Sequence, residues 1–555
     1  MVPRLGEDHE GNRVRLLELR LPAYRGLRDF HLDLTTAVDR GHAIAALIGP
    51  NGGGKSRILY ALVEIFGALH QRKGSAAFAF EISYSMGNNR VQVRQDTPES
   101  PPELSVSAGG HKAKIVRRSK WSNYLPAHVF GYQAHLQAPW TAEFDRHRHL
   151  AGRRLTSWQR EWRASLDEWL ITRSPEDSWT EELTLPISCS LYARVFLCTP
   201  SHLALLMLAQ LSDWSDAFGT YLHKHSGIRG VASAVLRIRA PRSVRRDWYE
   251  LPYWGLGGPA RTFFAAVAES GRFGLIPEAD PVDGVGSPAD GFGIELGGTE
   301  DIMALRNLFD RDLSMFALLA TLLDAGYLTV DVKLESVDGT TLSLNDLSSG
   351  EQQRLTILGL LRLQRAEQSL FLLDEPDSHF HPEWSRLWYS SVLTVLGECG
   401  DSQFIAATHE PLLVANMMRE QVRVVAFVDG RAAATVPTAN PRGQGAGGLL
   451  TTDLFGLPSQ LDEYTQALID RQYELLAEAE DDTGKRAELG QVTAALDSLG
   501  FSMVNRDPLV SAFLAELHRR RRALIALAGS ANPPSPQELA TLVSILFDER
   551  LSSAV

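Results

Sequence analysis

The stretch Gly49-Pro50-Asn51-Gly52-Gly53-Gly54-Lys55-Ser56-Arg57 decides the fold. It fits the pattern G-x-x-x-x-G-K-[ST], and it stands where that pattern's mechanism needs it: after an apolar run at 43–48 and before a helix-forming run at about 56–66. Glycines let successive backbone N–H groups converge on phosphate oxygens, and the start of the helix adds positive potential. In such a loop Lys55 reaches the β- and γ-phosphates of ATP and Ser56 binds Mg²⁺. The bland alternative is a chance Gly-rich turn, which the strand-before, helix-after context disfavours.

Working outward, Leu370-Phe371-Leu372-Leu373 is a continuous apolar run of the kind buried in a parallel sheet, and it ends in Asp374-Glu375. Asp374 is the expected second support of Mg²⁺; Glu375 is the expected base that orients or deprotonates an attacking water. Leu347-Ser348-Ser349-Gly350-Glu351-Gln352-Gln353 opens a helix with a Ser N-cap and a Glu three residues later. Taken alone that is a capping box, but it lies 26 residues before Asp374. Thr408-His409-Glu410 follows a further apolar run, with His409 35 residues after Asp374.

Four elements in this order resemble the ATPase head of ABC-type proteins, specifically the SMC/RecF/RecN-like branch. The resemblance implies an α/β fold, a P-loop NTPase of ABC type with a mixed sheet flanked by helices. It also implies ATP and Mg²⁺ as cofactors and a head-to-tail sandwich of two heads. Ser348, Ser349, Gly350 and Glu351 of one copy would then face the γ-phosphate bound at Gly49–Arg57 of the other. His409 takes the place of the switch histidine and Asp377 that of the inter-head loop, within Asp374-Glu375-Pro376-Asp377-Ser378-His379-Phe380-His381-Pro382. Three departures stand out: Arg57 for the common Thr, Ser349 for the first signature Gly, and Glu351 for Gln. Gln133 is the candidate metal- and water-sensing glutamine, with a purely structural glutamine as the alternative.

Lys55 and Ser348 are 293 residues apart, too far for a compact transporter head. Coiled-coil relatives fill such a gap with long helices, but Pro126, Pro139, Pro175, Pro186, Pro200, Pro241 and Pro252 predict a globular, mostly helical insertion instead. The expected layout is an N-terminal lobe at 1–140, an insertion at 141–299, a C-terminal lobe at 300–460 and a helical region at 461–555. Helices are expected at 300–324, 463–479, 484–499 and 508–527, a hairpin around Asp338-Gly339, and a loop through the glycines of 284–298. The insertion, Val129-Phe130-Gly131-Tyr132-Gln133 and 447–457 together resemble the ATPase subunits of anti-phage and restriction-associated systems, the Septu ATPases among them. That likeness implies a homodimer or higher homo-oligomer and a separately encoded nuclease or effector, because no Toprim, His-Glu-x-x-His or HNH-like set is apparent. The alternatives are a nucleotide-gated scaffold with little turnover, or an ABC transporter subunit.

Composition bounds these readings. With 555 residues, 44% hydrophobic and 22% charged, the chain is globular and long enough for about three domains. Lys+Arg 55 against Asp+Glu 67 gives a net charge of −12, which excludes a surface coated in positive charge but not a local basic groove. Three cysteines cannot build a disulfide framework, and no apolar stretch reaches the length of a membrane span, so a cytoplasmic protein with no membrane contact is expected. The segment 121–254 holds nine of the eleven tryptophans. There Arg146, Arg148, Arg153, Arg154, Arg160 and Arg163 interleave with Trp158 and Trp162, and Arg237, Arg239, Arg242, Arg245 and Arg246 precede Trp248. These could grip and stack DNA, or they could be a solvated helix face neutralised by Glu143, Asp145, Glu161 and Asp167 above core tryptophans.

Overall fold

A computed structural model describes residues 13–499 apart from 41, 72–73, 110, 135–137, 173–183, 211–216, 241–251, 278–290, 365–367, 397–400, 429, 458 and 479–482. The expected helix at 508–527, the Arg242–Trp248 cluster and Gly284, Gly286 and Pro288 lie outside the described residues. Two compact units emerge, Met1–Gly443 and Gln444–Val555.

The first unit is built on a seven-stranded sheet. Its parallel strands are β3 (Ile44–Ile48), β8 (His128–Gln133), β9 (Val195–Cys198), β15 (Ser369–Asp374), β16 (Gln403–Ala407) and β17 (Val422–Val428). The order is β18-β17-β3-β16-β15-β8-β9, with β18 (Arg431–Thr435) antiparallel at the edge. Every residue of β3, β15 and β16 is buried, which is why these strands read as unbroken apolar runs. A second sheet is antiparallel, ordered β2-β1-β4-β5-β6-β7: β1 (Val14–Tyr24), β2 (Leu27–Asp33), β4 (Phe80–Met86), β5 (Asn89–Gln95), β6 (Glu103–Ala108) and β7 (Lys114–Ile115). Here apolar and polar residues alternate, as in β5, because one face is solvated. The short α1 (Thr35–Asp39) links β2 to β3.

Helix α2 (Lys55–His70) shares one hydrophobic core with both sheets. Ile58, Leu59, Leu62, Ile65 and Phe66 are all at most 1% exposed, and each contributes about 1.5–3 kcal/mol by burial. This clamps the Gly-rich loop that begins the helix. The signature stretch opens α9 (Ser349–Gln364), which packs on α4 (Leu203–Gln210), α8 (Asp312–Asp324) and α10 (Pro382–Leu396). Helix α4 is buried at all eight positions, and Pro200-Ser201-His202 separates it from β9. The four-residue α11 (Pro411–Val414) follows His409 and is capped by Glu410.

Three expectations are corrected. The prolines do not prevent a long helix: α3 (Ala138–Thr172) runs 35 residues, about 52 Å at 1.5 Å per residue. Pro139 sits in its first turn, where no intrahelical N–H is lost, and no proline occurs from 140 to 172. Phe144, Ala151, Leu155, Trp158 and Trp162 form its buried stripe at helical spacing. Second, 141–299 is rich in helix among its described residues, as expected, but it lies within the unit Met1–Gly443 and also carries strands. It supplies β9 to the main sheet, with α5 (Ala217–Ser226) and α6 (Gly258–Glu269). It also supplies β10 (Ile228–Arg239), β11 (Gly274–Pro277) and β12 (Gly291–Leu296), which join β13 (Leu328–Ser336) and β14 (Thr341–Ser343) in a third sheet, β11-β12-β10-β13-β14. Gly291 and Gly293, expected in a loop, are strand residues; a Cβ on Gly291 would lie 2.5 Å from the Ile238 carbonyl oxygen, so β12 needs glycine to approach β10. Third, the helix expected at 300–324 is two, α7 (Thr299–Arg306) and α8. Ile187 exchanges backbone hydrogen bonds with Leu308 (2.7 Å) and Asp310 (3.1 Å), a tertiary pairing that no local signal announces.

In the second unit, α12 (Gly445–Leu450) precedes α13 (Glu463–Glu478) and α14 (Thr483–Ser498), which are joined by Arg471 to Glu488 at 2.7 Å and Gln472 to Thr493 at 2.9 Å. Among the described residues no helix is long and apolar enough to cross a membrane.

Candidate functional site

The loop between β3 and α2 has Gly49, Gly52 and Gly54 at φ of 142°, 80° and 103°, backbone that side chains rarely adopt. Space demands glycine too, since a Cβ on Gly49 or Gly53 would meet the Val425 carbonyl oxygen of β17 at 2.1 or 2.7 Å. Gly54 is the N-cap of α2 and no side chain caps it, so the start of the helix remains open to an anion. Lys55 Nζ donates to the carbonyls of Gly49 (2.7 Å) and Pro50 (3.1 Å), folding across the loop. Burial holds its pKa below the usual lysine value, partly offset by Glu375 and Asp374. Pro50, Asn51 and Gly52 are exposed along the rim, and Arg57 lies against Gly26 of the β1–β2 turn.

Parallel pairing of β8 and β15 puts Gln133 in register with Asp374 at the same end of the sheet. Ser56 Oγ donates to Asp374 Oδ1 at 2.8 Å, and Gln133 Nε2 donates to Oδ2 at 3.0 Å. Burial pushes the Asp374 carboxyl up to about 6, against hydrogen bonds from Ser56 and Gln133 and the charge of Lys55. A hydroxyl, a carboxylate and an amide oxygen are hard oxygen donors, and a buried carboxylate with so little compensating charge suits a divalent cation. These residues fit Mg²⁺, with further ligands left to phosphate and water.

Glu375 follows at a φ of 49°, left-handed for a residue with a side chain. In an extended strand Asp374 and Glu375 would point to opposite faces; the turn at 375 lets both carboxylates act on Lys55. His409 Nδ1 lies 3.4 Å from Glu375 Oε1, and both side chains are partly exposed. Thr408 donates to Asp377 Oδ2 at 3.0 Å, and burial pushes Asp377 up to about 7.

Residues 49–57, Gln133, Asp374, Glu375 and His409 thus converge. The signature residues do not join them: Ser348 and Ser349 are exposed at the start of α9, and Ser348 is bonded to Glu351, its N–H and Oγ donating to Oε2 at 2.9 and 2.7 Å. Gly350 is buried against the His379 carbonyl, which a Cβ would approach to 2.3 Å. Sequence reasoning gave no role to Gln353, whose Nε2 donates to the Glu375 carbonyl at 3.3 Å, or to Tyr60, whose hydroxyl accepts from Gln133 at 3.4 Å. The only sequence signal for Gln353 is its place one helical turn beyond Gly350. Of the two readings of Trp158 and Trp162, base-stacking or core, the burial fits the core: they are 9% and 8% exposed and covered by Arg154 (5.0 Å) and Arg261 (4.4 Å). Arg163 pairs with Asp167 at 3.1 Å, and Arg237 with Asp331.

Loop, acids and flanking strands together define a P-loop nucleotide-binding fold of the ABC type. Residues 229–415 match the family described as "AAA domain, putative AbiEii toxin, Type IV TA system", a span that takes in Ser348–Glu351, Asp374, Glu375 and His409. The chain is similar to the Retron Vc95 probable ATPase of Vibrio cholerae serotype O1 biovar El Tor, 29% identical over 164 residues, covering 27% of this chain and 31% of the relative. It is also similar to Septu protein PtuA of Bacillus mycoides (strain KBAB4), 28% identical over 154 residues, covering 26% and 21%. The chain therefore spans under a third of the length of these relatives. Among solved structures it is similar to an Smc head domain from Pyrococcus furiosus bound to the C-terminal domain of ScpA (12% identity, TM-score 0.32, 76% of this chain and 96% of that one). It is similar too to the recombination mediator RecF bound to an ATP analogue (10% identity, TM-score 0.32, 77% and 100%).

Proposed function

We propose that the chain binds ATP with Mg²⁺ between Gly49–Arg57 and Asp374 and hydrolyses it, with Glu375 as base and His409 beside it. Two copies then close head to tail, each offering Ser348–Glu351 to the other's nucleotide. The switch so formed works in the cytoplasm in an anti-phage defence complex, gating a separately encoded nuclease or other effector. The observation that carries this reading is the bond from Ser56 to Asp374 beside an uncapped helix start. Bound Mg²⁺ neutralises phosphate charge; Lys55 holds the β- and γ-phosphates, Gln133 fixes Asp374, and Glu375 takes a proton from the attacking water. The exposed position of Ser348 and Ser349 supports a role toward a second copy, and the likeness to the retron ATPase and PtuA supports the defence role.

ATP turnover by the purified protein, with and without DNA, tests the reading. Glu375→Gln is expected to lower kcat about 10²–10⁴-fold while leaving ATP binding intact, and to accumulate a dimer with ATP in light scattering. A Glu375→Gln protein with wild-type turnover refutes the base assignment, and one that stays monomeric with saturating ATP refutes the sandwich.

A further inference from the structure

Glu375 occupies left-handed backbone, a strained conformation that persists only where the surroundings enforce it. Its N–H donates to the Ala407 carbonyl of β16 at 2.8 Å. Its carbonyl accepts from Ser378 N–H at 3.3 Å and from Gln353 Nε2 at 3.3 Å. Gln353 is 2% exposed, and its Oε1 is buried with no hydrogen-bond partner among the described residues. The amide is thus committed to the one bond it donates: turned over, it would set an oxygen against the Glu375 carbonyl.

The other end of the same helical turn is Gly350, pressed onto the His379 carbonyl. Helix α9 therefore grips the loop 375–379 at two points, Gly350 on His379 and Gln353 on Glu375, and both points lie within five residues of the exposed Ser348 and Ser349. Beyond them Leu355, Ile357 and Leu358 are fully buried, so the helix start cannot move without carrying this grip along.

We infer that Gln353 is the positioning residue that fixes Glu375, and that through it the signature turn and the base of the same chain move as one body. This rests on the reading of Glu375 as the base. A second copy's nucleotide docking on Ser348–Gly350 would then set Glu375 for this copy's own nucleotide, linking the two sites of the sandwich through one amide.

The test uses the full chain with Gln353→Leu and Gln353→Met, which keep volume and remove the donor. In the nucleotide-free protein, amide hydrogen exchange is expected to quicken at least tenfold at Glu375 and Ser378, with the melting temperature close to wild type. In turnover, kcat is expected to fall about 10–100-fold at an unchanged KM, the size expected of a base displaced by about 1 Å. Added to Glu375→Gln, either substitution is expected to cost nothing more, because its effect runs through Glu375. Unchanged exchange, an unchanged kcat, a parallel rise in KM, or a full multiplicative loss in the Glu375→Gln background each overturns the inference. Wild-type protein lacking Glu375-dependent turnover refutes the base assignment instead, and the exchange measurement still decides whether Gln353 holds the loop.

Discussion

Gly350→Ala adds a single methyl group to the start of α9. Built on the observed backbone, that Cβ stands 2.3 Å from the His379 carbonyl oxygen, 3.1 Å from its carbon and 3.4 Å from the Trp384 ring. Restoring ordinary contact, roughly 3.5 Å, demands a shift of about 1 Å between helix and loop. Neither side yields easily. The helix is anchored by buried leucines and by Arg354, which lies 4.0 Å over Trp384; the loop is anchored through Glu375 to β16. Overpacking of this kind costs about 1–3 kcal/mol, and a 1 Å displacement of catalytic groups costs about 10²-fold in rate. Steady-state ATP hydrolysis and a thermal melt read the two effects. Gly490→Ala is the control: its helical position has open space around it, so the alanine is expected to stabilise by about 0.5–1 kcal/mol and leave turnover unchanged. A Gly350→Ala protein with wild-type kcat and stability would refute the claim that the signature helix is wedged against the acid-pair loop.

Two further outcomes follow from burial. Asp377 has its neutral form favoured, with its carboxyl raised to about 7, so the folded chain binds more protons than the unfolded one between about pH 4 and 7, and stability falls as pH rises through that window. Asp377→Asn is therefore expected to melt above wild type at pH 8, with the gap narrowing toward pH 5; a gap independent of pH contradicts the assignment. Trp162→Ala is expected to cost about 3–5 kcal/mol in urea unfolding, whereas the exposed Arg160→Ala stays within about 0.5 kcal/mol. The reverse ranking would return Trp162 to the surface.

Much of the site was legible because its chemistry is local. A loop that must present backbone N–H groups needs glycines in a row, and a strand buried on both faces must be apolar until it reaches its acids. The order of loop, signature, acids and histidine therefore identifies the ABC-type head from residues 49–57, 347–353, 370–377 and 408–410 alone. The same logic failed where an outcome depends on partners distant in sequence. Proline counts suggested a broken insertion, yet a helix is decided by where prolines fall, and Pro139 falls in a first turn.

The glycines of β12, the break between α7 and α8, and the burial of Trp158 and Trp162 were each settled by contacts with β10, Ile187 and Arg261. Sequence alone thus singled out the candidates for a phosphate, a cation and a water, since such candidates are chosen by functional groups and short spacings. Only the tertiary structure brought Gln133 onto Asp374 across 241 residues and set Gln353 under the Glu375 carbonyl. Register across a parallel sheet and the seating of one helix on one loop depend on the packing of the whole core, which no local pattern encodes.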